Sequence, residues 1–189
     1  MILKKYQFPI NLFIVFEKLN VIVYTSQLLT PNHYVCFINK NWFYSLNIFL
    51  KNELFLNYSY LSEVSCIDTL KYNNILPEKK FFNKNNRFII YNIYYMYFLK
   101  IRLSLIQLTN LNSNSIDSVY PNASWLEREV SEMYGVSYIN KSDNRSLLLD
   151  YSRNEFPMLK DFPVEGFYEI YYDFFENKLT YIKNEFIEL

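Results

Sequence analysis

This sequence predicts an α+β fold: a two-layer domain with helices on one face of a mixed β-sheet, followed by an extended C-terminal interaction arm. Three observations predict it. Runs rich in β-branched and aromatic residues read as strands, and stretches with apolar residues at helical spacing read as helices. Their order along the chain, helix–strand–strand–helix–strand–strand–strand–helix, suits a sheet layer covered by a helix layer.

Taken in order, Phe8, Leu12, Val15 and Phe16 set a short helix within Gln7 to Lys18, its start delayed by Pro9. Asn20 to Thr25 and His33 to Ile38 are strands, with Thr30-Pro31-Asn32 supplying the turn. Asn41 to Leu50 places Trp42, Leu46, Phe49 and Leu50 on one side of an amphipathic helix. Tyr58 to Ile67 alternates and gives a third strand ending at Asp68; the polar stretch through Pro77 and Arg87 is an exposed loop. Phe88 to Phe98 and Ile101 to Leu108 form a hairpin around Leu99-Lys100, and Ser113 to Val119 returns as a shorter strand.

The most specific stretch is SWLEREVSEMYG, Ser124 to Gly135. Ser124 and Glu127 have capping-box spacing, Pro121 bars a helix upstream, and Gly135 suits a left-handed C-cap. Leu126, Val130, Met133 and Tyr134 form an apolar stripe, leaving Glu127, Arg128, Glu129 and Glu132 for a solvated or partner-facing surface with an Arg128–Glu132 pair. Paired carboxylates also serve hydrolases, but residues 127, 128 and 129 point in different directions around a helix. Beyond the glycine, Pro157, Pro163 and Gly166 prevent a continuous helix, and an aromatic-rich arm follows that would gain order from a neighbouring surface. The boundaries expected are a core domain over 1–138 and an arm over 139–189. The end of the arm, including Leu179 to Ile182, reads as a strand that pairs on a partner.

Composition narrows the function classes. The chain has 189 residues with Lys+Arg 19 against Asp+Glu 19, and this zero net charge shows no nucleic-acid footprint. Tyr 19 and Phe 17 beside Gly 2 point to an A/T-rich, organellar genome, and so many aromatics exceed what one small core can hold. Cys36 and Cys66 have no paired spacing and read as buried free thiols; with one histidine, His33, they make no cluster or zinc set. No apolar run reaches the ~18–20 residues that span a bilayer, and the N-terminus lacks the look of an import or signal sequence.

The run WLEREVSEMYGVSY, then Asp143, Arg145, Leu148, Asp150-Tyr151, Pro157 and KDFPVEGFYEIYYD, resembles the signature of the 30 kDa subunit family of respiratory complex I. In mitochondria its members are called NADH dehydrogenase subunit 9, and bacteria carry a counterpart. The match covers Pro121 to Asp173. It departs at Lys141-Ser142-Asp143-Asn144-Arg145-Ser146, where the family carries His-Pro-Asp-Leu-Arg-Arg, and at Met158-Leu159, where it carries Leu-Arg. The resemblance implies a non-catalytic subunit of the matrix arm of NADH:ubiquinone oxidoreductase at the mitochondrial inner membrane, encoded in the organelle. It implies no cofactor on this chain, with FMN and iron–sulfur clusters on other subunits, and packing against the 49 kDa subunit. The interface it implies draws on Trp125, Glu127, Arg128, Glu129, Met133, Tyr134, Gly135, Asp143, Arg145, Lys160, Asp161, Phe162 and Pro163. An organellar ribosomal or other assembly protein is the alternative, opposed by the lack of a basic stripe.

Overall fold

A computed structural model of the chain describes residues 22–25, 33–52, 59–70, 86–97, 100–151 and 155–185. The helix expected from Gln7 to Lys18 lies outside these residues, as does most of the loop before Arg87. Five strands, β1 (Ile22–Thr25), β2 (His33–Ile38), β3 (Ser59–Asp68), β4 (Phe88–Met96) and β5 (Ile101–Thr109), form one sheet in the order β1-β2-β5-β4-β3. The β2–β5 pair is parallel and the other pairings are antiparallel, so the sheet is mixed. Helix α1 (Lys40–Asn52) connects β2 to β3, and α2 (Ala123–Tyr134) follows the sheet.

Both helices contribute to one core with the same face of the sheet. Cys36, Leu105, Asn92 and Val64 stand side by side across four strands, and Tyr34, Leu103, Tyr94 and Leu61 form the next row. Over these rows lie Phe43, Leu46 and Leu50 of α1 and Ala123 and Val130 of α2. The simple alternation expected of β3 is interrupted by a bulge. Leu61 pairs with Tyr94 but Glu63 already faces Ile93, which leaves Ser62 as the extra residue, its hydroxyl on the Ile93 carbonyl. The bulge lets Leu61 and Val64, three apart, point the same way.

The buried stripe of α1 is rotated from the one expected. Phe43, Leu46, Asn47 and Leu50 turn inward, and Trp42 is half exposed. The polar Asn47 is tolerated because its amide donates to the Phe43 carbonyl and its oxygen accepts from the Tyr94 hydroxyl. The strand expected from Ser113 to Val119 also shortens. Only Asn112–Asn114 is extended (β6), pairing in parallel with β7 (Ser137–Ile139). There the Ser115 hydroxyl accepts the Asp117 N–H, and the Ile116 carbonyl accepts from Val119 and Tyr120, so the chain turns and buries Ile116 and Tyr120.

After β7 the chain follows α2 in the helix's own direction as a strap, residues 141–149, from Ser124 and Glu127 to Glu132. Its end forms an antiparallel hairpin of β8 (Tyr168–Asp173) and β9 (Lys178–Lys183). The strand expected to pair on a partner therefore finds β8 of its own chain. Both thiols are free and buried, as the spacing predicted. Burial pushes the Cys66 thiol up to about 12, with Asp68 adding to the effect, so it is held protonated.

Candidate functional site

Helix α2 and the segment folded on it form the candidate site. Gly135 ends the helix as expected, with φ 73° and its N–H on the Ser131 carbonyl at 2.9 Å. A side chain there would be strained by that φ and would meet the Phe156 ring at 3.0 Å. The N-terminus differs from expectation. The helix begins at Ala123, the N-cap is Asn122, and no side chain caps it; the Asn122 amide instead donates to the Leu61 carbonyl at 2.5 Å.

Glu127 is free of capping because it points into the core, 1% exposed. It accepts the Ser115 hydroxyl at 2.6 Å, the Ile116 N–H at 2.8 Å and the Lys141 ammonium at 3.0 Å. Burial pushes its carboxyl above the ordinary range, against the pull of those three donors. Lys141 also donates to the Ser124 carbonyl at 2.9 Å, and its ammonium lies 5.8 Å from the Tyr138 ring centre. At the position where the resembled family carries histidine, this lysine therefore brings its own positive charge to Glu127.

Arg128 is likewise buried and does not pair with Glu132. Its guanidinium donates to the carbonyls of Arg145 at 2.7 Å and Ser146 at 2.8 Å and lies 3.4 Å from Asp143. Glu132 instead accepts the N–H groups of Leu147 and Leu148 at 2.6 and 2.9 Å. In place of the expected solvated or partner-facing surface there is an intramolecular clamp: Arg128 and Glu132 satisfy main-chain groups of the strap, and Glu127 holds Ser115, Ile116 and the Lys141 side chain. Glu129 and Trp125 remain outward, Trp125 at 66% exposure. Glu127 and Glu132 face different partners and Glu129 is exposed, so the carboxylates of this helix do not converge on a common point.

A second clamp lies at the sheet edge. The buried Asp68 pairs with Arg87 at 2.7 Å, and Arg87 reaches Asp161 at 2.5 Å. Asp68 also accepts the Lys160 N–H at 3.0 Å. Burial alone would raise the Asp68 carboxyl, but donation from Arg87 and from the N–H groups of Lys160 and Leu70 holds it below its ordinary value. The Arg87 guanidinium likewise holds Asp161 down. Beside the second clamp a cleft of about 280 Å³ is lined by residues that include Arg87, Phe88, Tyr134, Gly135, Phe156 and Leu159.

Of the residues the resemblance singles out, Glu127, Arg128, Asp143 and Arg145 meet at the first clamp, with Arg145 gripping Asp143 at 2.8 Å. Lys160 and Asp161 meet at the second. Phe162 packs edge-on against Phe167, and Pro163 is buried. Tyr134 packs partly on the core, and the Met133 carbonyl accepts the Met158 N–H. Sequence reasoning missed Ser115, Asp68 and Arg87. Their partners lie 12, 92 and 74 positions away, and no local period reports such pairings. Among the described residues no group of His, Cys, Asp and Glu could hold a metal ion, and no helix is long and apolar enough to cross a membrane.

The α+β scaffold turns several charged side chains to holding its own chain and leaves aromatics such as Trp125 outside. The family model of the respiratory-chain NADH dehydrogenase 30 Kd subunit matches residues 37–168, and the chain belongs to that family of complex I components. The chain is 38% identical over 185 residues to NADH-ubiquinone oxidoreductase subunit 9 of Paramecium primaurelia, covering 98% of this chain and 88% of that protein. To NADH dehydrogenase [ubiquinone] iron-sulfur protein 3 of Arabidopsis thaliana it is 32% identical over 139 residues, 71% of this chain and 66% of the other. In fold it is similar to the solved trypsin-resistant fragment of Nqo5, with TM-score 0.54 and 16% identity over 70% of this chain and 98% of the fragment.

Proposed function

We propose that this chain is a non-catalytic structural subunit of the matrix arm of proton-pumping NADH:ubiquinone oxidoreductase in mitochondria. It packs against the 49 kDa subunit and supports the quinone-reducing module, while FMN and the iron–sulfur clusters are held by other subunits. The core domain over 1–138 is the rigid platform, and the segment over 139–189 is the part gripped by the neighbour. Electron transfer and quinone chemistry need fixed geometry, so a scaffold can control their rate without touching electrons.

The observation that carries this reading is the C-terminal hairpin. Tyr168, Ile170, Tyr172, Leu179 and Tyr181 share one of its faces, by the period of two, and every one of them is exposed. A two-stranded hairpin is marginal alone in water, and an uncovered aromatic and aliphatic face of this kind is the mark of an interaction surface. Trp125 and Glu129, outward on α2, extend the same reading, since tryptophan is enriched among interface hot spots.

Ile170→Asp in the hairpin face and Trp125→Ala on the helix test it. Both variants should fold, yet the complex I band on native gels should fall, and the 49 kDa subunit should no longer co-purify with the tagged chain. Truncating one such anchor typically costs about 2 kcal/mol of binding, roughly a thirtyfold loss of affinity. Normal assembly of both variants, or sedimentation of the chain with ribosomes, would overturn the proposal. Arg128 is the wrong probe, because it is buried against the strap and its removal acts first on the chain's own fold.

A further inference from the structure

The strap is held to α2 at consecutive points, and these differ in how much they can specify. Arg128 grips the carbonyls of Arg145 and Ser146, and Glu132 grips the N–H groups of Leu147 and Leu148. Every residue of an extended chain repeats those groups, so a strap slipped along the helix would offer much the same partners. Asp143 is shared between Arg128 and its own neighbour Arg145, and the Ser142–Asp117 contact is exposed, where water competes. Glu127–Lys141 is unlike the rest. It joins two side chains, both fully enclosed, the carboxylate to Ser115, Ile116 and Lys141 and the ammonium to Ser124, Glu127 and the Tyr138 ring.

Taking two charges out of water is costly, and apolar replacements of similar size often stabilise a fold as well or better. A buried pair earns its place more readily by specifying an arrangement, since any slip leaves each charge in the core without its partner. We propose that Glu127–Lys141 is a register lock, fixing which strap residues lie over α2 and so where the chain is handed on to the hairpin. The handover is visible downstream: Asp150, just past the strap, accepts the Tyr181 hydroxyl of β9 at 2.6 Å. The lock stands independently of the assembly reading, because it concerns contacts within one chain.

Hydrogen–deuterium exchange on the full-length chain tests it, comparing Lys141→Met, Glu127→Gln and the double variant with the natural sequence. Each single variant leaves one charge buried without its counter-charge. Exchange over 141–149 should accelerate about tenfold or more, with a smaller rise over 168–183 and little change in β4 and β5. The double variant carries no bare charge but no lock either, so its exchange over 141–149 should stay faster than in the natural sequence while the sheet keeps its protection. If Lys141→Met does not fold, Glu127→Gln decides, since its side chain keeps partners in Ser115 and Ile116. Unchanged exchange over 141–149 in the folded single variants overturns the lock. So does acceleration spread evenly over the sheet, or a double variant whose exchange over 141–149 returns to that of the natural sequence.

Discussion

Strands β2 to β5 with their two helices, and the described residues over 140–151 and 155–185, stay ordered by opposite means. In the first, apolar side chains fill the space between sheet and helices, and the polar intruders Asn47 and Tyr94 satisfy one another. In the second, little apolar surface is covered: the hairpin is exposed on both faces, and the hold comes from charged side chains at the Glu127/Arg128/Glu132 and Asp68/Arg87/Asp161 clamps. Burial of apolar area is non-directional and summed over many contacts, whereas each clamp depends on a few groups keeping their charge. One chain can thus carry a robust layer and a conditional one, and the conditional one includes the exposed hairpin.

The largest effect expected is in the sheet layer. Leu105, fully buried at the centre of β5, should cost about 3–5 kcal/mol when changed to alanine, through lost transfer energy and an unfilled cavity. Denaturant unfolding should show it as a fall in the whole transition, with both layers lost together. A smaller and more local loss is expected from Asp68→Asn, which takes the charge from the buried side of the second clamp. Breaking a buried pair costs about 3–5 kcal/mol, and because Arg87 is partly exposed and keeps Asp161, about 2–3 kcal/mol is expected. Limited proteolysis should then cut within 155–185 before it cuts the sheet; simultaneous cutting would erase the distinction between the layers.

The smallest effect is that of acid. Asp68, Asp117, Glu132, Asp143 and Asp161 all have carboxyls held below their ordinary values in the folded chain by hydrogen bonds and neighbouring cations. Their contribution is complete above the unfolded carboxylate range near pH ~4 and is lost as pH falls through the lower folded values. Glu127, pushed up by burial, works the other way and gains from protonation. The net expectation is a several-fold rise in pepsin cleavage of 141–183 as pH drops below about 4, before the sheet gives way. Equal opening of sheet and strap would refute it.

Much of the sheet layer was legible in the residues. Ile101, Leu103 and Leu105 alternate and all turn inward, and a period of two in one strand is visible without knowing its neighbours, although the intervening Ser104 is buried as well. Gly135 as a left-handed cap was legible for the same reason, since conformational freedom belongs to the residue itself. Glu127 was misread as a capping group, because Ser-x-x-Glu spacing says nothing of a lysine that returns from fourteen positions further on.

By itself the sequence determined the five strands of the main sheet, the two described helices with the end of α2, and the family, because these depend on short-range period and on residue types in a set order. Only the tertiary structure decided which carboxylates face inward, where α2 begins, that β9 pairs with β8, and that Arg87 joins two acids across the sheet edge. Those outcomes turn on which distant polar group arrives within hydrogen-bond reach, and that is set by the packing of whole layers.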